Sequence, residues 1–374
     1  GVERVRVCCC CESWESGGIE SFLTNALLRM DRTGLEVDIV AAELRESVFT
    51  EQLREAGVRF YELSGSLNRI ARNSRLLQGI FEERKYNVFH LHAYQALSFR
   101  YLKQAKQSGI PVRIAHSHNT ALRKSRGRRL KLGIHCISRA LLTGYATDLW
   151  ACSRQAAEFL FSPRELKGKG YRFIPNGIEM ERFRFNSEAR EQIRKELHCE
   201  SKLVIGNVGR LCYQKNQAFL LEAFAEVHGK QPDSVLLLVG EGEDRPMLEE
   251  QAERLGIREA TIFYGTCGQV ERLYWGMDVF AFPSRFEGLG IVAVEAQAAG
   301  LPVICSEEVP EEALFTRQAE RIPLEAGRWA QAILRRKAGG DRSPLGAEEE
   351  RQFAVGHTAE IMEKAYREGG AGGR

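Results

Sequence analysis

The sequence predicts an α/β protein of two Rossmann-like domains facing a central cleft, and three observations carry that expectation. Short apolar runs alternate with longer amphipathic ones along most of the chain, the pattern of strands joined by helices. The apolar runs of the second half are nearly continuous, as parallel strands covered on both faces should be. The 374 residues exceed the roughly 150 that one domain usually holds.

The first domain is expected over residues 1–180. Its strands are read at 5–11, 36–42, 58–63, 88–92, 112–116 and 149–153, with helices starting near Ile19 and Thr50. It closes at Phe173-Ile174-Pro175-Asn176-Gly177, where Pro and Asn-Gly mark a turn. The second domain is expected over 181–349. A charged, helix-bearing stretch at 181–200 leads to strands at 202–206, 234–239, 261–264, 279–282 and 302–305. A final helix near 348–368 is a candidate to pack back on the first domain, and the Gly-rich tail after it is expected to be disordered.

Composition narrows the class. Hydrophobic residues make up 44% and charged residues 28%, ordinary for a globular chain, and no apolar run approaches the ~20 residues that cross a bilayer. The opening Gly1-Val2-Glu3-Arg4 lacks the basic and apolar regions of a signal peptide, so a cytoplasmic location is expected. The ten cysteines are scattered, which favours reduced thiols. Cys8 to Cys11 alternate faces on a strand and read as small buried hydrophobes. The net charge of +3 hides an asymmetry: residues 1–180 hold 28 Lys and Arg against 18 Asp and Glu, and 181–374 hold 25 against 32. A basic first half suits phosphates or anionic surfaces.

The chemistry concentrates in Pro283-Ser284-Arg285-Phe286-Glu287-Gly288-Leu289-Gly290-Ile291-Val292-Ala293-Val294-Glu295, read as strand end, glycine loop and helix. Unpaired N–H groups and the dipole at a helix start make an anion site against Gly288, Leu289, Gly290, Ile291 and Val292. Eight helical residues rise about 12 Å, too far for a glycosidase carboxylate pair. Glu287 and Glu295 instead suit the two ends of one long ligand, a sugar at the first and a ribose at the second, with a diphosphate between. Arg210 and Lys215 offer a planar fork and a mobile point charge for that diphosphate.

These residues resemble the Glu-seven-residues-Glu motif of retaining glycosyltransferases of family 4, which have the two-domain GT-B fold. Gly209-Arg210-Leu211 with Lys215-Asn216 resembles the family's diphosphate-holding Arg and Lys. Val239-Gly240-Glu241-Gly242 is similar to its next strand and loop, and Pro175-Asn176-Gly177-Ile178 to its interdomain turn. The resemblance implies transfer of a hexose-type sugar from a nucleotide-sugar co-substrate, a UDP-sugar foremost, with retention and without a metal or other cofactor. It places Glu287 at the transferred sugar, Glu295 at the ribose, Gly17 and Gly18 toward the diphosphate, and His118 as a polar contact near the anomeric carbon. The Ala115-His116-Ser117-His118-Asn119 run and the Gly17-Gly18-Ile19-Glu20 turn resemble bacterial capsular or exopolysaccharide enzymes, which implies a glycan or lipid-linked acceptor.

Two His-x-His pairs, His90/His92 and His116/His118, end consecutive strand candidates and share a face. Zinc is weighed and set aside in favour of hydrogen bonding or substrate contact. The run from Arg123 to Lys131 carries six cations in nine residues. It reads as a solvated helix face or as a contact for anionic lipid headgroups or an acceptor's pyrophosphate, and nucleic acid is not expected, because no stacking platform accompanies it. Two rivals are a non-catalytic nucleotide-sugar sensor on the same fold and a nicotinamide-dependent oxidoreductase. The second is disfavoured because Gly240-Glu241-Gly242-Glu243-Asp244 puts acidic residues where a diphosphate would bind.

Overall fold

The computed structural model describes residues 4–14, 18–122, 126–336, 338–340 and 342–371. Two compact units result, residues 1–178 with 354–374, and residues 179–353.

The first unit is a seven-stranded sheet of β1 (Val5–Trp14), β2 (Leu35–Leu44), β3 (Arg59–Glu62), β4 (Val88–Ala93), β5 (Val112–Ser117), β6 (Asp148–Ala151) and β7 (Arg172–Phe173). Their order is β3-β2-β1-β4-β5-β6-β7, and every pairing is parallel. The order reverses between β1 and β4, the switch point beyond whose strand ends ligands bind in such sheets. β1 is an interior strand, paired with β2 on one edge and β4 on the other. Cys8 to Cys11 are free and buried there, where burial pushes the Cys9 thiol up to about 12. They act as small apolar residues, as their alternation implied.

The second unit repeats the plan with β8 (Leu203–Val208), β9 (Ser234–Val239), β10 (Thr261–Gly265), β11 (Val279–Phe282), β12 (Val303–Ser306) and β13 (Ala319–Ile322) in the order β10-β9-β8-β11-β12-β13. Leu236, Leu237 and Leu238 are fully buried on alternating faces, the double coverage that a continuous apolar run requires. Asp278 anchors the unit below β11. Its carboxylate accepts from Arg190 at 2.6 Å, Arg194 at 3.2 Å and the Val204 N–H at 2.9 Å.

The C-terminal reading needs correction. The single final helix is two, Ala347–Phe353 and Val355–Ala371, with the unit boundary between them. The second belongs to the first unit, and its Ala359, Met362 and Tyr366 join that core. Gly369 and Gly370, expected in a disordered tail, are helical, and a Cβ on either would press on Val112 at 2.9 Å or Val5 at 2.5 Å. These glycines let the helix end lie close against the sheet, a packing role that composition alone does not reveal.

Candidate active site

β11 ends at Phe282, and the chain passes through residues 283–290 into the helix Ile291–Ala298. Gly290 caps that helix with φ 93° and no side-chain cap. A Cβ there would sit 3.0 Å from the Phe282 ring and 3.4 Å from Val309, so the position needs glycine for both conformation and space. The first N–H groups of the helix have no intrahelical partner.

A neighbouring loop holds this segment in place. The Arg285 N–H donates to the Gln214 carbonyl at 2.8 Å, and the Gln214 amide donates to the Phe286 carbonyl at 3.0 Å. Asn216, left-handed with φ 57°, is buried and donates to the Pro283 carbonyl at 3.0 Å. This lacing brings the Lys215 Nζ to 2.6 Å from the Glu287 Oε1. The Ser284 hydroxyl donates to the same oxygen at 2.7 Å. The pair is sheltered, with side chains 19% and 7% exposed, and the ammonium lies 5.4 Å from the Phe282 ring centre, a cation–π contact.

The two glycine loops after β8 and β9 fit together through their backbones. The Gly209 N–H donates to the Val239 carbonyl at 2.9 Å and the Leu211 N–H to Glu241 at 3.0 Å. Any side chain on Gly240 would overlap the Gly209 carbonyl, and one on Gly242 would overlap Leu211. Lys215 methylenes rest 3.4 Å from where a Gly209 Cβ would be. Arg210 has its own partner, Glu243 at 3.0 Å, and its side chain is 70% exposed. The structure therefore joins Lys215, Ser284 and Glu287 at the helix start and gives Arg210 a separate, solvated ion pair.

Leu289 is buried beside that start, and Gly288, Ile291 and Val292 are partly exposed. Glu295 lies one turn on. It accepts from the Tyr274 hydroxyl at 2.7 Å. Burial raises its carboxyl to about 7, against the opposing Tyr274 bond and Arg182 charge. Arg182 itself holds Glu271 at 2.8 Å.

In the first unit, Gly17 lies outside the described residues, as do Arg123 and Lys124 of the basic run. Gly18 opens the helix Gly18–Arg29. His118 follows β5 and completes a cluster that the sequence shows only as two separate pairs. Register sets His92 beside His116. His92 Nδ1 is 2.8 Å from His118 Nε2, and His90 Nε2 is 2.9 Å from His116 Nδ1. The Tyr366 hydroxyl reaches His90 Nδ1 at 2.6 Å. Burial holds His90, His92 and His116 well below the usual imidazole range and lowers His118 to about 4, with Asn176 opposing. All four are neutral near pH 7, which suits hydrogen bonding and not general acid catalysis.

Two triads of this cluster, Cys9-His90-His92 and His92-His116-His118, place ligand atoms within 4.8 Å of one another. The first is committed elsewhere, because both His90 nitrogens are hydrogen-bonded and the Cys9 thiol holds its proton. In the second, His92 and His116 each keep an Nε2 without a partner among the described residues.

Sequence reasoning gave no role to Ser284, Tyr274 or Tyr366. Ser284 stands three residues before Glu287, a spacing that could have suggested the contact. Tyr366 is 276 residues from His90, and nothing local links them.

Residues 16–182 match the family model described as Glycosyltransferase Family 4, and residues 188–322 match Glycosyl transferases group 1. The chain is 31% identical over 332 residues to EpsF of Bacillus subtilis (strain 168), which is named as a glycosyltransferase, covering 87% of this chain and 85% of that protein. It is 26% identical over 242 residues to the UDP-Gal:alpha-D-GlcNAc-diphosphoundecaprenol alpha-1,3-galactosyltransferase of Escherichia coli, covering 62% of this chain and 60% of that one. The crystal structure of Anabaena HepE with UDP and glucose superimposes with a TM-score of 0.75 at 19% identity, over 98% of this chain and 100% of the other. The chain belongs to glycosyltransferase family 4 and has the two-domain GT-B fold.

Proposed function

We propose that this glycosyltransferase moves a hexose-type sugar from a UDP-sugar to a hydroxyl of a glycan or lipid-linked acceptor, with retention, without a metal, and in surface polysaccharide synthesis. The observation that carries the reading is the Lys215-Ser284-Glu287 constellation at the start of the helix Ile291–Ala298. It combines a cation and unpaired N–H groups for a departing diphosphate with a carboxylate that accepts from sugar hydroxyls. Lys215 is held by Glu287 before any donor arrives, so little side-chain freedom is lost when the charge is needed.

Arg210 adds to this cation set. An exposed ion pair such as Arg210–Glu243 is worth about 0–1 kcal/mol, so the guanidinium exchanges Glu243 for a phosphate at small cost. Glu295, at the far end of the helix's first turns, takes the ribose hydroxyls. By the family resemblance, His118 is assigned as a neutral polar contact for a donor sugar, and Gly17 and Gly18 are assigned to the diphosphate. UDP is favoured because the donor in the E. coli relative's name is UDP-Gal and the HepE crystals hold UDP. The lipid diphosphate in the same relative's name favours an acceptor carried on lipid. The cations from Arg123 to Lys131 would then meet an anionic membrane at the inner face. No helix among the described residues is long and apolar enough to cross that membrane.

The test is incubation with a panel of UDP-, GDP- and ADP-sugars followed by NMR of the new linkage. An α-linked donor should give an α-linked product, with turnover highest for a UDP-sugar. A β-linked product would overturn retention, and strict dependence on added divalent metal would overturn the metal-free route.

A further inference from the structure

Two helices of the second unit are bound to each other at two points, and Glu295 is one of them. At the C-terminal ends, Arg342 donates to the Tyr274, Trp275 and Met277 carbonyls at 3.0, 2.7 and 2.6 Å and to the Ala299 carbonyl at 2.8 Å. One guanidinium thus closes both the helix Val270–Gly276 and the helix Ile291–Ala298, where the dipoles of both favour a cation. The second point is the Tyr274 hydroxyl, which donates to the Glu295 Oε2 at 2.7 Å.

Tyr274 has no room to turn away. It is fully buried, and its ring lies edge-on to Phe183 and Phe280, with centres 5.9 and 5.7 Å apart. The Val292 carbonyl, the other acceptor near the hydroxyl, is farther off at 3.4 Å, so the proton is directed at the carboxylate. An ionised carboxylate has about four acceptor sites on its two oxygens. Tyr274 takes one and leaves Oε1 to a ligand.

The charged or titratable groups that act on Glu295 are Tyr274 and Glu271 of one helix and Arg182 of the helix Met180–Phe183. The Arg182 guanidinium is itself held by Glu271 at 2.8 Å and by the Gly268 carbonyl at 3.2 Å. It acts on Glu295 by charge, whereas the tyrosine hydroxyl fixes the direction of the carboxylate. A glutamate side chain that is loose beforehand loses rotamer freedom when it meets a rigid diol. A bond already made in the empty site removes that loss.

We infer that Tyr274 is a positioning residue for donor recognition: its hydroxyl holds Glu295 in the rotamer that meets both ribose hydroxyls of a nucleotide, and so makes the chain select ribonucleotides over deoxyribonucleotides through a side chain that touches no ligand. The inference rests on the ribose being placed at Glu295, as proposed above.

The test is calorimetric titration of the full chain and of Tyr274→Phe with UDP, 2′-deoxy-UDP and 3′-deoxy-UDP. GDP or ADP and their deoxy forms take the place of UDP if one of them binds more tightly, since the ribose is common to all three. The titrations span about pH 6 to 8, on either side of the Glu295 carboxyl at about 7. At the higher pH the wild type should bind UDP at least about tenfold more tightly than either deoxy form, the strength of a hydrogen bond to a charged acceptor. Tyr274→Phe keeps the packed ring and should narrow that ratio to about threefold or less, with its affinity for the deoxy forms unchanged.

The ratio cancels the titration of the nucleotide's own phosphates. In the wild type it should fade as pH falls and Glu295 takes up a proton, because a protonated carboxyl loses acceptor capacity. In the variant the fade should move to higher pH, since the Tyr274 bond holds that carboxyl down. An unchanged ratio and pH profile in the variant would overturn the inference. So would equal weakening of all three nucleotides, which would make Tyr274 a structural residue alone, and so would a wild-type ratio flat across this range, which needs no variant to read. A wild-type ratio near one at every pH would remove the ribose from Glu295 while leaving nucleotide binding in place. Failure to bind UDP, GDP or ADP at all would overturn the nucleotide-sugar donor itself.

Discussion

The two units share a strand order and differ in how their functional residues are assembled. In the second, Lys215, Ser284 and Glu287 come from two loops laced through main-chain groups, the Arg285 N–H donating to the Gln214 carbonyl and the Asn216 and Gln214 side-chain amides to main-chain carbonyls of the other loop. In the first, the histidines depend on side chains alone, two hydrogen-bonded imidazole pairs of which His90–His116 is closed by Tyr366 from a helix at the far end of the sequence. Backbone lacing fixes a charged pair closely and leaves the side chains free for ligand. Side-chain chains fill a core with polar groups that hold one another neutral.

If that contrast is right, the donor loops should tolerate no bulk. Gly240→Ala forces a methyl into the Gly209 carbonyl at a φ of 136° and should destabilise the second unit by roughly 3 kcal/mol or more. Calorimetry would read it, and an unchanged transition would show that the loops are not tightly fitted. Tyr366→Phe should cost the first unit about 1–3 kcal/mol by leaving the buried His90 Nδ1 without its partner, with UDP-sugar hydrolysis retained. Loss of hydrolysis with unaltered stability would instead make the histidine chain part of the chemistry.

Glu295→Gln should act through pH. The folded carboxyl, raised from 4.5 to about 7, keeps its proton better than the unfolded one. Its contribution to stability is therefore full below about pH 4.5 and lost as pH rises towards 7. The Gln variant escapes that loss, so its melting temperature relative to the wild type should climb across this range. A flat difference would contradict the raised Glu295 carboxyl.

The same contrast explains what was legible in the sequence. The donor site lies mostly within one contiguous stretch, Pro283 to Glu295, whose glycines and helix start are read locally, and the strands there are marked by unbroken apolar runs. β13, with sequence Ala-Glu-Arg-Ile, is half-exposed at the sheet edge, and β7 is two residues long, so neither leaves a periodic signal. The histidine pairs are visible as pairs, but their joining depends on β4 and β5 being neighbours in register. The helix Arg128–Leu142 shows its cations in sequence and hides which face is outward, because His135 is satisfied by groups distant in the chain. The tail glycines mislead for a related reason: composition suggests disorder, while packing against Val5 and Val112 needs residues without side chains.

The central claim is that Lys215 and Glu287 act as one unit on the donor, and a double-mutant cycle in kcat/KM tests it. Lys215→Met and Glu287→Gln should each lower transfer by about 10²–10³-fold, the cost of one preorganised charge-stabilising group. The double variant should be scarcely worse than either, since removing one member already disables the pair. Wild-type rates in either single variant, or losses that multiply in the double, would contradict the account.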